Sequence, residues 1–130
     1  WVHLSGERSK RAVLYDYHDN RKGESAEIFL KDLKKYHQTD AYSGYNNVHS
    51  KEEVIWIACW AHARRKYIEI TKTAKTPGIA QKMIKYIGQL YKIEREVLDR
   101  KLDPPEIKKL REEKAKPILK IINSPYAKNS

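Results

Sequence analysis

Cys59 and His62 stand three residues apart in the stretch CWAHARRKY, directly after VIWIA, and three cations follow them, Arg64, Arg65 and Lys66. A thiol and an imidazole at that spacing suit three chemistries. The first is half of a zinc site, although structural zinc takes four ligands and usually more than one cysteine, and this chain has a single Cys. The other histidines, His3, His18, His37 and His49, are scattered through the sequence. The second is a thiol nucleophile where a strand ends and a helix starts, its pKa lowered and His62 one turn away as base. The third is packing, with Cys59 a small core residue and His62 an early helix position. The cations Arg64, Arg65 and Lys66 span more than half a helical turn and cannot all face a core, so they form a solvated face or a phosphate-contacting one.

Asp40 is the isolated acid of interest, because it falls where a short strand gives way to a loop, a common position for functional groups in α/β sheets. Metal-assisted phosphoryl chemistry needs two or three acids converging from different elements. A lone Asp beside Tyr42 and Tyr45 is equally suited to forming a turn.

The elements that must hold these groups follow from pattern. Trp1 to Ser5 and Arg11 to His18 read as strands joined by GERSK in a hairpin. Ala26, Phe29, Leu30 and Leu33 lie at helical spacing, which predicts a helix of about ten residues from Glu24 to Leu33. Tyr36 to Thr39 is a short strand, and SGYNN is expected to stop anything regular. Val54 to Cys59 is bulky and continuous, as in a parallel-sheet strand buried on both faces. A helix is expected from about Ala61 to Ala74.

From there the chain reads as helical. Thr76-Pro77 is a start signal, and Ile79, Ala80, Met83, Ile84, Ile87, Leu90, Tyr91, Val97 and Leu98 line one face. Asp103-Pro104-Pro105-Glu106 starts another helix, which Ile107, Leu110, Ile118, Leu119 and Ile122 continue and Pro117 is expected to kink or break. The fold class is therefore α/β, a strand-containing first half followed by a long helical hairpin, with the composition changing near residue 75.

Composition narrows the partners. The 130 residues are about one domain in size. Lys and Arg number 27 against 17 acids, a net charge of +10, which favours phosphate-bearing partners, nucleic acid first and an anionic membrane surface second. The longest apolar run is the eight residues from Val54 to Ala61, short of the roughly 18 a membrane helix needs. One cysteine makes no internal disulfide, which fits a cytoplasmic setting. The opening WVHLS carries no signal-peptide pattern and reads like the inside of a strand, so the chain is expected to be part of a longer one.

YDYHDNRKGESAEIFLKDLKKYHQTDAYSGYN followed by CWAHARRKYIEI closely resembles the central part of bacterial transposases of the insertion-sequence-66 group, and IGQLYKIEREV and LREEKAKPIL resemble their following helical segment. QTDAYSGYN and CWAHARRKY are specific in combination. The resemblance implies a ribonuclease H-like fold whose Asp, Asp and Glu hold two divalent metals, Mg²⁺ or Mn²⁺, to cleave and join DNA strands at insertion-sequence ends. It implies that residues 1–75 are a partial catalytic core with about four strands and residues 76–130 a helical insertion. Asp40 matches the second Asp and would be the catalytic metal ligand. The first Asp and the Glu have no match here, so this chain alone is expected to be catalytically incomplete and to bind Mg²⁺ weakly or not at all. The Cys59-x2-His62 pair recurs in such groups and would support the active-site strand and helix, while Arg64, Arg65 and Lys66 would face DNA. One departure is Asp40-Ala41-Tyr42, where the motif commonly has Gly.

In ribonuclease H-like sheets a further strand lies between the hairpin and the strand of the second acid. Without it, the sheet is expected to close by direct pairing across the gap or by exchange between chains in a homo-oligomer. Two readings from other classes stand beside the transposase: a non-catalytic nucleic-acid-binding module acting through its basic helices, and a cysteine hydrolase using Cys59 and His62.

Overall fold

A computed structural model describes residues 2–5, 10–20, 22–74 and 78–124. Contacts divide the chain into two compact units, Trp1–Cys59 and Trp60–Ser130. The change near residue 75 that composition suggests falls on residues 75–77, which lie outside the described ones.

The first unit is mixed α/β. Strands β1 (Val2–Ser5) and β2 (Ala12–Tyr15) pair antiparallel, with Val2 opposite Tyr15 and Ser5 opposite Ala12. Helix α1 (Gly23–Phe29) precedes β3 (Lys35–Thr39), which pairs in parallel with β4 (Val54–Ala58), Lys35 opposite Val54 and Thr39 opposite Ala58. Between them lie a 3₁₀ turn (Ser43–Tyr45) and the single-turn helix α2 (Asn46–His49).

Four expectations are corrected here. The two strand pairs remain separate two-stranded sheets, so the sheet does not close across the gap; His3 of β1 instead stacks on Phe29 with ring centroids 4.2 Å apart. Helix α1 is shorter than its apolar spacing suggests. It ends at Leu30, whose ψ of 22° leaves the helical range and leads into tight turns, and Lys51 Nζ donates to the Leu30 and Lys31 carbonyls that the ended helix leaves open. SGYNN does not stop regular structure but winds into the 3₁₀ turn and α2, because Val48 is fully buried and Asn47 Nδ2 donates to Glu27 Oε2 at 2.9 Å. Strand β4 is not covered on both faces: Val54 is buried while Ile55, Trp56 and Ile57 are exposed.

The second unit is helical. Helix α3 (Trp60–Thr73) packs along α4 (Ile79–Asp99). Thr76 and Pro77 fall outside the described residues, and the N-cap position is Gly78, whose N–H donates to Gln81 Oε1 at 2.7 Å. The next start is as its residues dictate: Asp103 accepts from the Glu106 N–H at 2.9 Å and Glu106 accepts from the Asp103 N–H at 3.0 Å, a reciprocal cap opening α5 (Pro104–Leu110). The chain then returns along α4 through a π-helical segment (Arg111–Ala115) and α6 (Lys116–Asn123). The π segment is the form that the Pro117 break takes. Proline has no N–H for the Glu113 carbonyl four residues back and its ring crowds that carbonyl, so the turn widens.

Leu90, Ile93, Val97, Leu110 and Ala115 form the core of this return, with Leu102, Ile107, Ile118, Leu119 and Ile122 against them. Ion pairs flank it, Arg111 to both carboxylate oxygens of Glu94 at 2.8 and 2.7 Å, and Lys114 to Glu96 at 2.7 Å. Ile87 of α4 is fully buried. Ile87→Ala should lower the unfolding free energy by about 2–4 kcal/mol through lost transfer energy and the cavity left behind. Urea denaturation measures it, and a loss under about 1 kcal/mol would mean that the site is not packed as described.

Candidate functional site

Asp40 follows β3 directly, at the carboxyl end of the parallel pair, where α/β sheets place ligand-contacting groups. Its carboxylate is exposed, and Oδ1 accepts from the Tyr42 N–H at 3.2 Å, the local turn bond open to an Asp followed by a bend. Ala41 between them has φ +65°, in the left-handed region that favours glycine.

Thr39 anchors this loop. It is buried, its Oγ1 accepts from Trp56 Nε1 at 3.0 Å, and its carbonyl accepts from the Cys59 N–H at 3.0 Å. The ends of β3 and β4 are thereby tied together, and Asp40 and Cys59 emerge side by side in the backbone. Beyond Tyr42 the loop meets α1, where a Cβ at Gly23 would lie 2.7 Å from the Gly44 carbonyl oxygen, so glycine permits that approach.

The single cysteine, Cys59, is half-buried. In the helical unit, His62 Nδ1 and Arg64 Nε are buried without a hydrogen-bond partner among the described residues, Arg64 being half-buried overall. Arg65 and Lys66 are exposed, and Lys66 lies 3.6 Å from Glu69 on the next turn. Of the three consecutive cations, two are therefore at the surface.

Sequence reasoning passed over a histidine cluster. His37 of β3 and His49 of α2 share a hydrogen bond, Nδ1 to Nε2, of 3.1 Å. His49 stacks on Trp56 and on Tyr45 at centroid distances of 5.2 and 5.8 Å, and His37 meets the edge of Tyr45 at 5.2 Å. Strand alternation puts His37 on the same face of β3 as Thr39, which was visible in HQTD; the helix that delivers His49 was not. Burial holds both imidazoles below their ordinary pKa, and repulsion from His49 and His3 adds to it at His37. Burial does the same at His3, partly offset by Asp16.

Among the described residues no group of three or more His, Cys, Asp or Glu gathers closely enough to hold a metal ion. One exposed carboxylate does not by itself fit a two-metal centre, which takes several converging acids.

Residues 1–130 match the IS66 family of transposases. The chain thus belongs to that family. It is also 30% identical over 92 residues to an uncharacterized protein, y4jD, of Sinorhizobium fredii, an alignment covering 66% of this chain and 18% of that protein. The chain therefore spans less than a fifth of that relative's length in the alignment. No solved structure matches. Among the described residues no helix is long and apolar enough to cross a membrane.

Two expected outcomes follow from this geometry. Replacing Ala41 with Gly should stabilise the chain by about 0.5–1 kcal/mol, the left-handed strain relieved less the added unfolded-state entropy; equal or lower stability in chemical denaturation would contradict the strain. Because His37 and His49 titrate below 6.5 when folded, the unfolded chain takes up protons first as pH falls. Their contribution is fully present above 6.5 and is lost as pH falls through the lowered folded values. Thermal unfolding midpoints should therefore drop on moving from about pH 8 to pH 5, and a flat profile would show that these rings titrate normally.

Proposed function

We propose that this chain forms part of the catalytic region of a DDE-type transposase, with Asp40 supplying one of the carboxylates that hold divalent metal for strand cleavage and transfer at insertion-sequence ends. The observation that carries the reading is the placement of Asp40 in a chain of this family: exposed, at the carboxyl end of a parallel strand pair, and seated by a buried Thr39. The partner acids would come from elsewhere in the transposase, and when Mg²⁺ or Mn²⁺ is bound it would supply Lewis-acid activation of the DNA phosphate. This chain's own contribution is to aim one carboxylate and hold the loop behind it still.

The hairpin β1–β2 and the pair β3–β4 suit the two flanks of a ribonuclease H-like sheet. Residues 1–75 then belong to the catalytic core and residues 76–130 to a helical insertion. Arg65 and Lys66, with Arg64 behind them, are the cations we assign to the DNA backbone, in keeping with the net charge of +10.

The exposed cations Arg65 and Lys66 also fit a second reading, a nucleic-acid-binding module without catalysis that acts through its basic helices. Asp40→Asn separates the two. In a full-length transposase carrying this sequence, the variant should lose metal-dependent cleavage of end-bearing DNA by orders of magnitude and keep its DNA affinity. Arg65→Ala with Lys66→Ala should instead reduce the slope of log affinity against log salt by about 2. Undiminished cleavage by Asp40→Asn would remove Asp40 from the chemistry and leave the binding module.

A further inference from the structure

We propose that His37 and His49 form a two-imidazole site for a borderline transition-metal dication of the zinc class, separate from any centre at Asp40. The facing nitrogens, His37 Nδ1 and His49 Nε2, are 3.1 Å apart. Two nitrogens bound to one tetrahedral zinc at 2.0–2.1 Å lie roughly 3.3 Å apart, so the pair is already near chelating separation, and a tilt of about 35° of each ring from the N···N line brings both lone pairs to one ion. It is also borne on two different elements, a strand and a helix 12 residues further on, and each element is tied down. Thr39, two residues along β3, is clamped by Trp56, and Trp56 in turn stacks on the His49 ring with only 19° between planes. Tyr45 covers the other partners of the cluster, its ring against both imidazoles.

The protonation state suits a metal as well. Burial favours the neutral form of both rings, with repulsion from His49 and His3 adding to it at His37, and a neutral imidazole is the form that coordinates. The titratable groups around the pair are His3 from β1 and Tyr45 from the 3₁₀ turn, and no carboxylate is hydrogen-bonded to either ring in the geometry described. Binding is proton-neutral in its simplest form: the hydrogen now shared between the rings moves to the remote nitrogen of the donor ring, and both facing lone pairs bind the metal. Imidazole nitrogen selects zinc-class ions, whereas Mg²⁺ prefers oxygen. With two protein ligands the remaining positions are open to water, and both rings are half-buried, so the ion has access. Bound there, it would fasten α2 to β3 three residues before Asp40.

The test is a titration of the 130-residue chain with Zn²⁺ alone, and separately with Mg²⁺, followed by calorimetry and by ¹⁵N imidazole resonances. Zn²⁺ should bind saturably and shift His37 Nδ1 and His49 Nε2, while Mg²⁺ leaves them unmoved. His37→Gln and His49→Gln, checked for folding by circular dichroism, should each weaken binding by at least the roughly 10–100-fold that even outer-shell losses cost. Affinity should also fall as pH drops below the range in which both rings are neutral. Unchanged affinity in either folded variant, shifts confined to His3, His18 or His62, or no saturable binding would each overturn the site. If a variant does not fold, the ¹⁵N shifts of the unaltered chain decide.

Discussion

Three hydrogen bonds converge on Thr39, from the indole N–H of Trp56 and, at 3.4 Å, the Ala41 N–H to its hydroxyl, and from the Cys59 N–H to its carbonyl. Thr39 is buried, so leaving either oxygen unpaired would cost roughly 1–3 kcal/mol. That cost keeps β3 in register with β4, and the register decides where the strand stops and the loop begins. Asp40, the left-handed Ala41 and the turn bond to Tyr42 all inherit their positions from it. The histidine pair on the same face depends on it too, since Trp56 is both the donor to Thr39 and the surface on which His49 lies.

The first unit is held more by such specific contacts than by buried area. Val48, Ala26, Leu30 and Val54 are its buried apolar residues among those described, whereas much of β1, β2 and β4 is open to solvent. Strands this exposed are unusual for a parallel pair, which is normally covered on both faces. Apolar strand surface of this kind suits a sheet that is completed by further structure. The helical unit is different, with a continuous apolar stripe on α4 met by α5 and α6 and paired charges at its edges.

What could be read from sequence was what is decided locally. The Asp103 to Glu106 cap needs only four residues, and the strand ending at Thr39 is bounded by an adjacent turn. The stripe on α4 was legible for the same reason, although Ile93 lay unnoticed within it and Tyr91 and Leu98, read as part of it, are exposed. What could not be read depended on distant partners. The turn at SGYNN becomes helical because Val48 finds a buried position and Asn47 reaches Glu27, 20 residues away. Strand β4 is apolar enough to be buried, but burial needs a neighbour that composition cannot supply. Asp40 was singled out by its expected place at a strand end, where the structure does put it, and by family likeness. The His37–His49 pair was missed because neither residue signals the other along the chain.

The π-helical segment sets the rotational phase of everything after it. A wider turn amounts to one extra residue in the winding, and each residue of an α-helix advances the face by about 100°. Ile118, Leu119 and Ile122 meet α4 because that extra residue lies before them rather than after. Regularising the turn at constant length would swing the following apolar face by about 100° away from Leu90 and Ile93, whereas removing one residue between Arg111 and Ala115 would restore a regular helix with that face kept in place. In this stretch the winding is held more tightly than the length, because the wide turn absorbs the extra residue.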